Sequence, residues 1–293
     1  MAKYSPEISV IIPVRNRPEK IRRALDSVIA QKVLPAEILV IDDGSTDNTP
    51  EVLDSYLSVI KVLKQDNKGV SSARNRGIYE AAGTWIAFLD SDDEWKAEKL
   101  QLQTAYLEKH PEIRILQTEE TWIRNGKFVN PPKKYLKKGG NIFKASLENC
   151  IVSPSTVICQ RSLLMETGGF DESLPVCEDY DLWLRIAACC HIPLLPEATV
   201  IKYGGHKDQL STRIPAMDRF RVRSLEKILR EETLSDEQEA ALLAVLLRKL
   251  VYLYNGALRR GTDPSEYAGK IKIYRERKSS GMCAGEKTPA ASQ

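Results

Sequence analysis

Three apolar runs, each stopped abruptly by polar residues, constrain this chain more than any other feature. Ile8-Ser9-Val10-Ile11-Ile12-Pro13-Val14 ends at Arg15-Asn16, and Glu37-Ile38-Leu39-Val40-Ile41 ends at Asp42-Asp43-Gly44-Ser45. Trp85-Ile86-Ala87-Phe88-Leu89 ends at Asp90-Ser91-Asp92-Asp93. Continuous runs rich in β-branched residues predict strands covered on both faces, as in parallel sheets. Between the first two, residues 18–31 place Ile21, Ala24, Leu25, Val28 and Ile29 on one stripe, which predicts a helix and hence a βαβ unit. That unit sets Pro13, Arg15, Asp42 and Asp43 on one rim. Open α/β sheets bind ligands in the crevice outside such strand ends.

A further segment, Gly69-Val70-Ser71-Ser72-Ala73-Arg74-Asn75-Arg76-Gly77, leads into a short helix before the Asp90 strand. The carboxylates of Asp90 and Asp92, one residue apart, form an oxygen-rich pair suited to Mg²⁺ or Mn²⁺, which would neutralise a diphosphate. An isolated Asp-x-Asp is weak, because most acidic pairs in loops are merely solvated. Here it stands in a row of polar strand ends.

Taken in order, Ser-Val-Ile-Ile-Pro-Val-Arg-Asn, Val-Ile-Asp-Asp-Gly-Ser-Thr-Asp, Ala-Arg-Asn-Arg-Gly-Ile and Phe-Leu-Asp-Ser-Asp-Asp resemble the inverting family 2 glycosyltransferases of the GT-A fold. Gly169-Phe170-Asp171-Glu172, followed by Glu178-Asp179-Tyr180-Asp181-Leu182-Trp183, resembles that family's acceptor-side motif. The match spans residues 6–210, and five motifs in the right order are far more specific than any one. The resemblance implies a Rossmann-like, mainly parallel sheet with helices on both faces, a nucleotide-sugar donor (UDP-sugar favoured) and a carbohydrate or glycolipid acceptor. The implied setting is cell-surface polysaccharide or glycoconjugate synthesis.

Residue roles carry over by position. Pro13 and Arg15 fall where the family contacts base and ribose, and Asp43 where a carboxylate accepts the N–H of a uracil-like base. Asp92 falls on the direct metal ligand, with Asp90 nearer the ribose. Asp179 falls on the general base, with Glu178 as the fallback and Asp181 read as a helix cap. The reaction needs these types: a divalent ion acts as a Lewis acid on the departing diphosphate, and a positioned carboxylate takes the acceptor proton, worth roughly 10²–10⁴-fold. Inversion needs one base facing one metal site across the sugar, not two carboxylates flanking a bond.

Other residues have a functional and a plain reading. Lys68 and Arg74 could meet phosphate charge, or be ordinary surface cations. His206, with Lys207, could close the metal or diphosphate site, or be a solvated loop histidine. Trp95 and Trp183 could stack on sugars or pack in the core. The acidic turn at 178–181 would also suit the positive end of a helix dipole. The Lys133–Lys138 run reads as a solvated loop that could touch anionic lipid.

Composition fits an enzyme of this kind. The 293 residues carry 43 basic and 40 acidic side chains, a net +3, which argues against a nucleic-acid partner. Six cysteines without Cys-x-x-Cys spacing read as reduced, buried thiols. The chain opens almost directly on its first strand, and the apolar stretch at 240–247 stops at Arg248-Lys249. Both predict a cytoplasmic protein without signal peptide or transmembrane segment, leaving peripheral contact with the inner membrane face open.

The organisation expected is a GT-A domain over 1–214, with a nucleotide-sugar half at 1–110 and an acceptor half at 111–214. Asn125-Gly126 should turn a hairpin in the acceptor half. A helical extension over 215–277, with helices at 218–231 and 235–261, would pack on the catalytic domain or form a homodimer interface. A disordered tail over 278–293 follows. Two alternatives are weaker. A nucleotidyltransferase should carry a Gly-rich loop after its first strand, where this chain has Val14-Arg15-Asn16-Arg17-Pro18. A non-catalytic nucleotide-sugar-binding or partner subunit should lack the Asp-x-Asp or the base, and both are present.

Overall fold

The computed structural model describes residues 7–205 and 216–280. Its sheet runs in the order β3-β2-β1-β4-β8-β6-β9-β5, with β7 beside β6. The first four are parallel: β1 (Ile8–Val14), β2 (Glu37–Asp43), β3 (Lys61–Gln65) and β4 (Trp85–Phe88). This parallel half carries the strand ends at Val14, Asp43 and Phe88. Across β4 the sheet becomes mixed: β8 (Val157–Gln160) pairs antiparallel with both β4 and β6 (Ile115–Arg124), while β9 (Leu194–Gly204) lies parallel to β6 and antiparallel to β5 (Glu94–Trp95).

Helices cover both faces. α1 (Pro18–Ile29) buries Ile21, Ala24, Leu25 and Val28, and starts on a proline whose missing N–H costs nothing at that position. On the other face, α3 (Val70–Glu80) packs so closely on β1 that a Cβ at Gly77 would lie 2.5 Å from Ile11 Cγ2. Between them in sequence comes α2 (Thr49–Asp54). The hairpin to β7 (Lys127–Val129) turns on Asn125 (φ 49°) and Gly126 (φ 75°), the paired positive φ angles of a type I′ turn. α4 (Lys99–Lys109), α5 (Phe143–Ser146), α6 (Arg161–Glu166) and α7 (Glu178–Cys189) complete the catalytic part.

C-terminal helices α8 (Asp218–Glu231), α9 (Asp236–Arg259) and α10 (Ser265–Ser280) follow. Ser235 and Gln238 form a reciprocal capping box at the start of α9. Leu225, Ile228, Leu242 and Leu246 from these helices share one core with Phe88, Phe170 and Trp183 of the sheet side.

Several expectations change. Trp95 is 2% exposed, gives its indole N–H to the Ser155 carbonyl, and so stacks on no sugar. Trp183 takes the core reading, edge-on to Phe88 and Phe170. Asp181 is no cap: it is fully buried and paired with Arg185 at 2.8 Å and Lys227 at 3.5 Å. Lys278 to Ser280 belong to α10, and residues 281–293 lie outside the described part. Cys189 is exposed rather than buried. The stretch cut short at Arg248-Lys249 in the sequence is one helix, α9, long and apolar enough by composition to cross a membrane. Lys249 is accommodated there by pairing with Asp218 at 3.0 Å.

Gly77→Ala tests the α3–β1 contact. Overpacking costs typically ~1–3 kcal/mol, which exceeds the ~1 kcal/mol that Ala gains in a helix. The variant should therefore unfold at lower urea concentration with unchanged slope.

Candidate active site

The site forms where the loops after β1, β2 and β4 meet the start of α7. Asn16 (φ 52°) accepts the Thr46 N–H at 2.7 Å and donates its own N–H to Ser45 Oγ, locking the β1 loop to the β2 loop. Strand alternation separates the acidic pair. Asp42 turns inward and accepts the Ser45 N–H at 3.0 Å. Asp43 faces a cavity of about 260 Å³ with Pro13, Arg15, Arg17, Asn67 and Ser91. Its carboxylate accepts the backbone N–H groups of Lys68 (2.8 Å) and Gly69 (2.9 Å), and Gln65 Nε2 at 2.8 Å. Lys68 thus serves Asp43 through its main chain, and its side chain is exposed outside the cavity.

Below this cavity lies another of about 230 Å³ that shares Pro13, Arg17, Val70 and Ser91 with it. It gathers Asp90, Asp92, Asp93, Glu178, Asp179 and Lys202. Arg17 Nη1 pairs with Asp92 at 3.0 Å. Asp93 is buried and accepts the Ser155 hydroxyl at 2.7 Å; burial first, then the charge of Asp92, hold its carboxyl well above the usual range.

Arg74 is not a surface cation. It is 3% exposed, and its guanidinium reaches Asp90 at 2.6 Å and Glu178 at 2.9 Å. Burial would push the Asp90 carboxyl up, but Arg74 holds it below its ordinary value. Glu178 goes the other way: burial, then the charge of Asp179, push it up to about 7 against the pull of Arg74. The neighbouring Asn75 clamps the Gly169-Phe170 turn, donating to the Phe170 carbonyl (2.8 Å) and accepting the Phe170 N–H (2.8 Å). Two motifs ninety-five residues apart are therefore one structural unit.

A third cavity, of about 250 Å³, shares Asp179 and Lys202 with the second. Trp122, Tyr135, Lys137, Glu120 and Arg221 also line it. The Lys133–Lys138 run is accordingly split: Lys137 is buried, 3.4 Å from Glu120, while its neighbours face solvent. Burial would raise the Glu120 carboxyl, but Lys137 and then Lys202 bring it down to about 2. Burial opposes the charge of Lys202, yet Glu120, Asp93, Asp90 and Asp179 keep it firmly protonated.

Pro13, Arg15, Asp43, Arg74, Asp90, Asp92, Glu178 and Asp179 thus converge on one trench. His206 and Lys207 lie outside the described residues. Sequence reasoning missed Lys202, Lys137, Glu120 and Arg221. Glu120 of β6 and Lys202 of β9 fall on the same sheet face, which only the register of the two strands shows.

Comparison with known proteins follows this geometry. Residues 9–167 match the family model for glycosyl transferase family 2. A glycosyltransferase of Rickettsia prowazekii is 30% identical over 263 residues, covering 85% of this chain and 82% of the relative. An Escherichia coli UDP-Glc:α-D-GlcNAc-diphosphoundecaprenol β-1,3-glucosyltransferase is 38% identical over 61% of this chain and 69% of its own length. The aligned part spans only 59% of a Rickettsia typhi relative and 36% of one from Rickettsia felis. Among solved structures, Staphylococcus aureus TarS 1–349 with UDP-GlcNAc superposes at a TM-score of 0.70 with 22% identity, over 94% of this chain and 82% of that one. A Pyrobaculum calidifontis mannosyltransferase with GDP-Man and Mn²⁺ gives 0.60 at 19% identity, over 95% and 84%.

Removing Arg74 tests the link at the centre of the site. Breaking a buried pair from one side typically costs ~3–5 kcal/mol. In Arg74→Met, Asp90 and Glu178 would both keep their protons to higher pH than in the wild type. The cost should therefore be largest near pH 8, where both must ionise unpaired, and shrink toward pH 5. Urea unfolding at the two pH values checks this; a pH-independent loss would reject it. The mixed sheet, the ordered motifs and the family match together make this chain a member of glycosyl transferase family 2, built on the GT-A fold.

Proposed function

We propose that the protein transfers a sugar from a UDP-sugar to an acceptor hydroxyl with inversion, Asp179 acting as the base. One observation carries this reading: Asp179 is the half-exposed carboxylate at the boundary of the two lower cavities, while its neighbour Glu178 is buried on Arg74. A base must touch the acceptor on one side and face the reacting carbon on the other. Asp43, with Arg15 and Pro13, offers a base-sized cavity, and its carboxylate is held in place by the Gly69 N–H on Oδ2 and the Lys68 N–H on Oδ1. The UDP-GlcNAc complex of TarS supports this choice of donor.

Asp90 and Asp92 would hold Mg²⁺ or Mn²⁺. The fit rests on chemistry: the hard carboxylate oxygens of Asp90, Asp92 and Asp93 line one cavity. Among the described residues no three His, Cys, Asp or Glu side chains form a closed cage. That suits an ion bound by one or two carboxylates and completed by phosphate oxygens. Once bound, it supplies Lewis-acid stabilisation of the leaving diphosphate. The chain's own residues do the rest. Asp43 orients the base, Arg17 and Lys202 add positive charge along the diphosphate path, and Asp179 takes the hydroxyl proton as that oxygen attacks. The relatives in polysaccharide synthesis support an acceptor of that kind.

Asp179→Asn should lower kcat by roughly 10²–10⁴ and leave UDP affinity and donor KM nearly unchanged, because the interaction is made in the transition state. Glu178→Gln should be milder. Steady-state kinetics decides between them, and an inactive Glu178→Gln beside an active Asp179→Asn would reverse the assignment. Asp92→Asn should abolish the Mn²⁺ dependence of UDP binding measured by calorimetry, since a carboxamide is a poor ligand for a hard cation. UDP binding that ignores chelator in the wild type would reject the metal.

A further inference from the structure

The third cavity continues outward. Met217 and Arg221 line both it and an adjoining groove of about 240 Å³ between α8 and α9, where Tyr252 and Leu253 supply apolar wall and Arg260 an edge. Charge along this path is unbalanced. Among the described residues, five cations (Arg124, Lys137, Lys202, Arg221, Arg260) line it against three carboxylates, those of Glu120, Asp179 and Asp218. Two of the carboxylates are already engaged, Glu120 by Lys137 at 3.4 Å and Asp218 by Arg221 at 2.9 Å and Lys249 at 3.0 Å.

Two guanidiniums retain unused capacity. Arg221 spends Nη1 on Asp218, but its Nε is buried without a hydrogen-bond partner. Arg260 is exposed and makes no side-chain ion pair among the described residues. Arg221 Nε is closed to a ligand, but Nη2 makes no hydrogen bond among the described residues and can meet a ligand oxygen. A neutral saccharide is usually gripped by amide and carboxylate side chains, yet neither cavity is lined by Asn or Gln among the described residues. Arginine forks match phosphate oxygens in geometry as well as charge.

We propose that this path binds a phosphate group carried by the acceptor, held by Arg221 and Arg260 while the acceptor hydroxyl reaches Asp179. The assignment rests on the glycosyltransferase reading and adds the acceptor's chemical class to it. The phosphate could belong to a lipid-linked saccharide, whose chain would follow Tyr252 and Leu253, or to a soluble sugar phosphate.

Calorimetry on protein saturated with UDP and Mn²⁺ separates these cases, with glucose 1-phosphate and octyl phosphate as probes and glucuronate as the carboxylate control. At least one phosphate probe should bind, and Arg260→Ala and Arg221→Lys should each weaken it about tenfold or more, the value of one charge-assisted hydrogen bond. UDP affinity should stay unchanged in both variants. Tighter octyl phosphate assigns a lipid-linked acceptor, and tighter glucose 1-phosphate a soluble one. Binding of neither probe, binding insensitive to both substitutions, or glucuronate bound as tightly overturns the proposal. Failure of UDP itself to bind would instead remove the glycosyltransferase reading on which it stands.

Discussion

Arg74 is the interaction on which the site's geometry depends. Its guanidinium joins Asp90, at the end of β4, to Glu178, at the start of α7, across 104 residues of chain. The first carboxylate belongs to the parallel part of the sheet and the second to the helix that follows its mixed part. A guanidinium buried to this degree stays charged, because removing its two partners would leave it without compensation in a poorly solvated place. The fork geometry also fixes direction, which a lysine would not do. Phe170 packs beneath the same group, 5.0 Å from Cζ to ring centroid. Asp92 and Asp179, close in sequence to these two partners, line one cavity beside Arg74.

This also explains a division of labour between adjacent acids. Glu178 and Asp179 are neighbours on the first turn of α7, where side chains diverge by about a hundred degrees per residue. Arg74 captures the first, and the second is left on the cavity boundary. Burial, and then the like charge of Asp179, push Glu178 up to about 7, while Asp179 itself stays on the cavity boundary. Environments that push two acids apart are how a site assigns them different roles.

Much of the nucleotide half was legible because its chemistry sits at strand ends, where an apolar run stopping at Asp43 or Asp90 is a strong local signal. What escaped was whatever depends on contacts distant in sequence. Lys137 reads as one lysine in a basic run, and only the pairing of β6 with β9 shows that it, Glu120 and Lys202 are packed together. Asp181 reads as a cap until α8 supplies Lys227 as a second partner. Trp95 reads as a surface aromatic beside a metal motif until β9 covers it.

The outer cavity is built on a different principle from the one around Asp43. Around Asp43 the backbone itself supplies the shape, through the N–H groups of Lys68 and of Gly69, whose φ of 90° favours glycine. Such a site follows from the fold and needs little more than a glycine and an acid. Around Trp122, Lys137 and Arg221 the shape comes from side chains on β6, the loop before α5, and α8. Each can change without disturbing the sheet, since β6 lies beyond the parallel core and α8 packs on its far side. A single scaffold can thus keep its donor chemistry constant while charge and apolar surface in the outer cavity set which acceptor reaches Asp179.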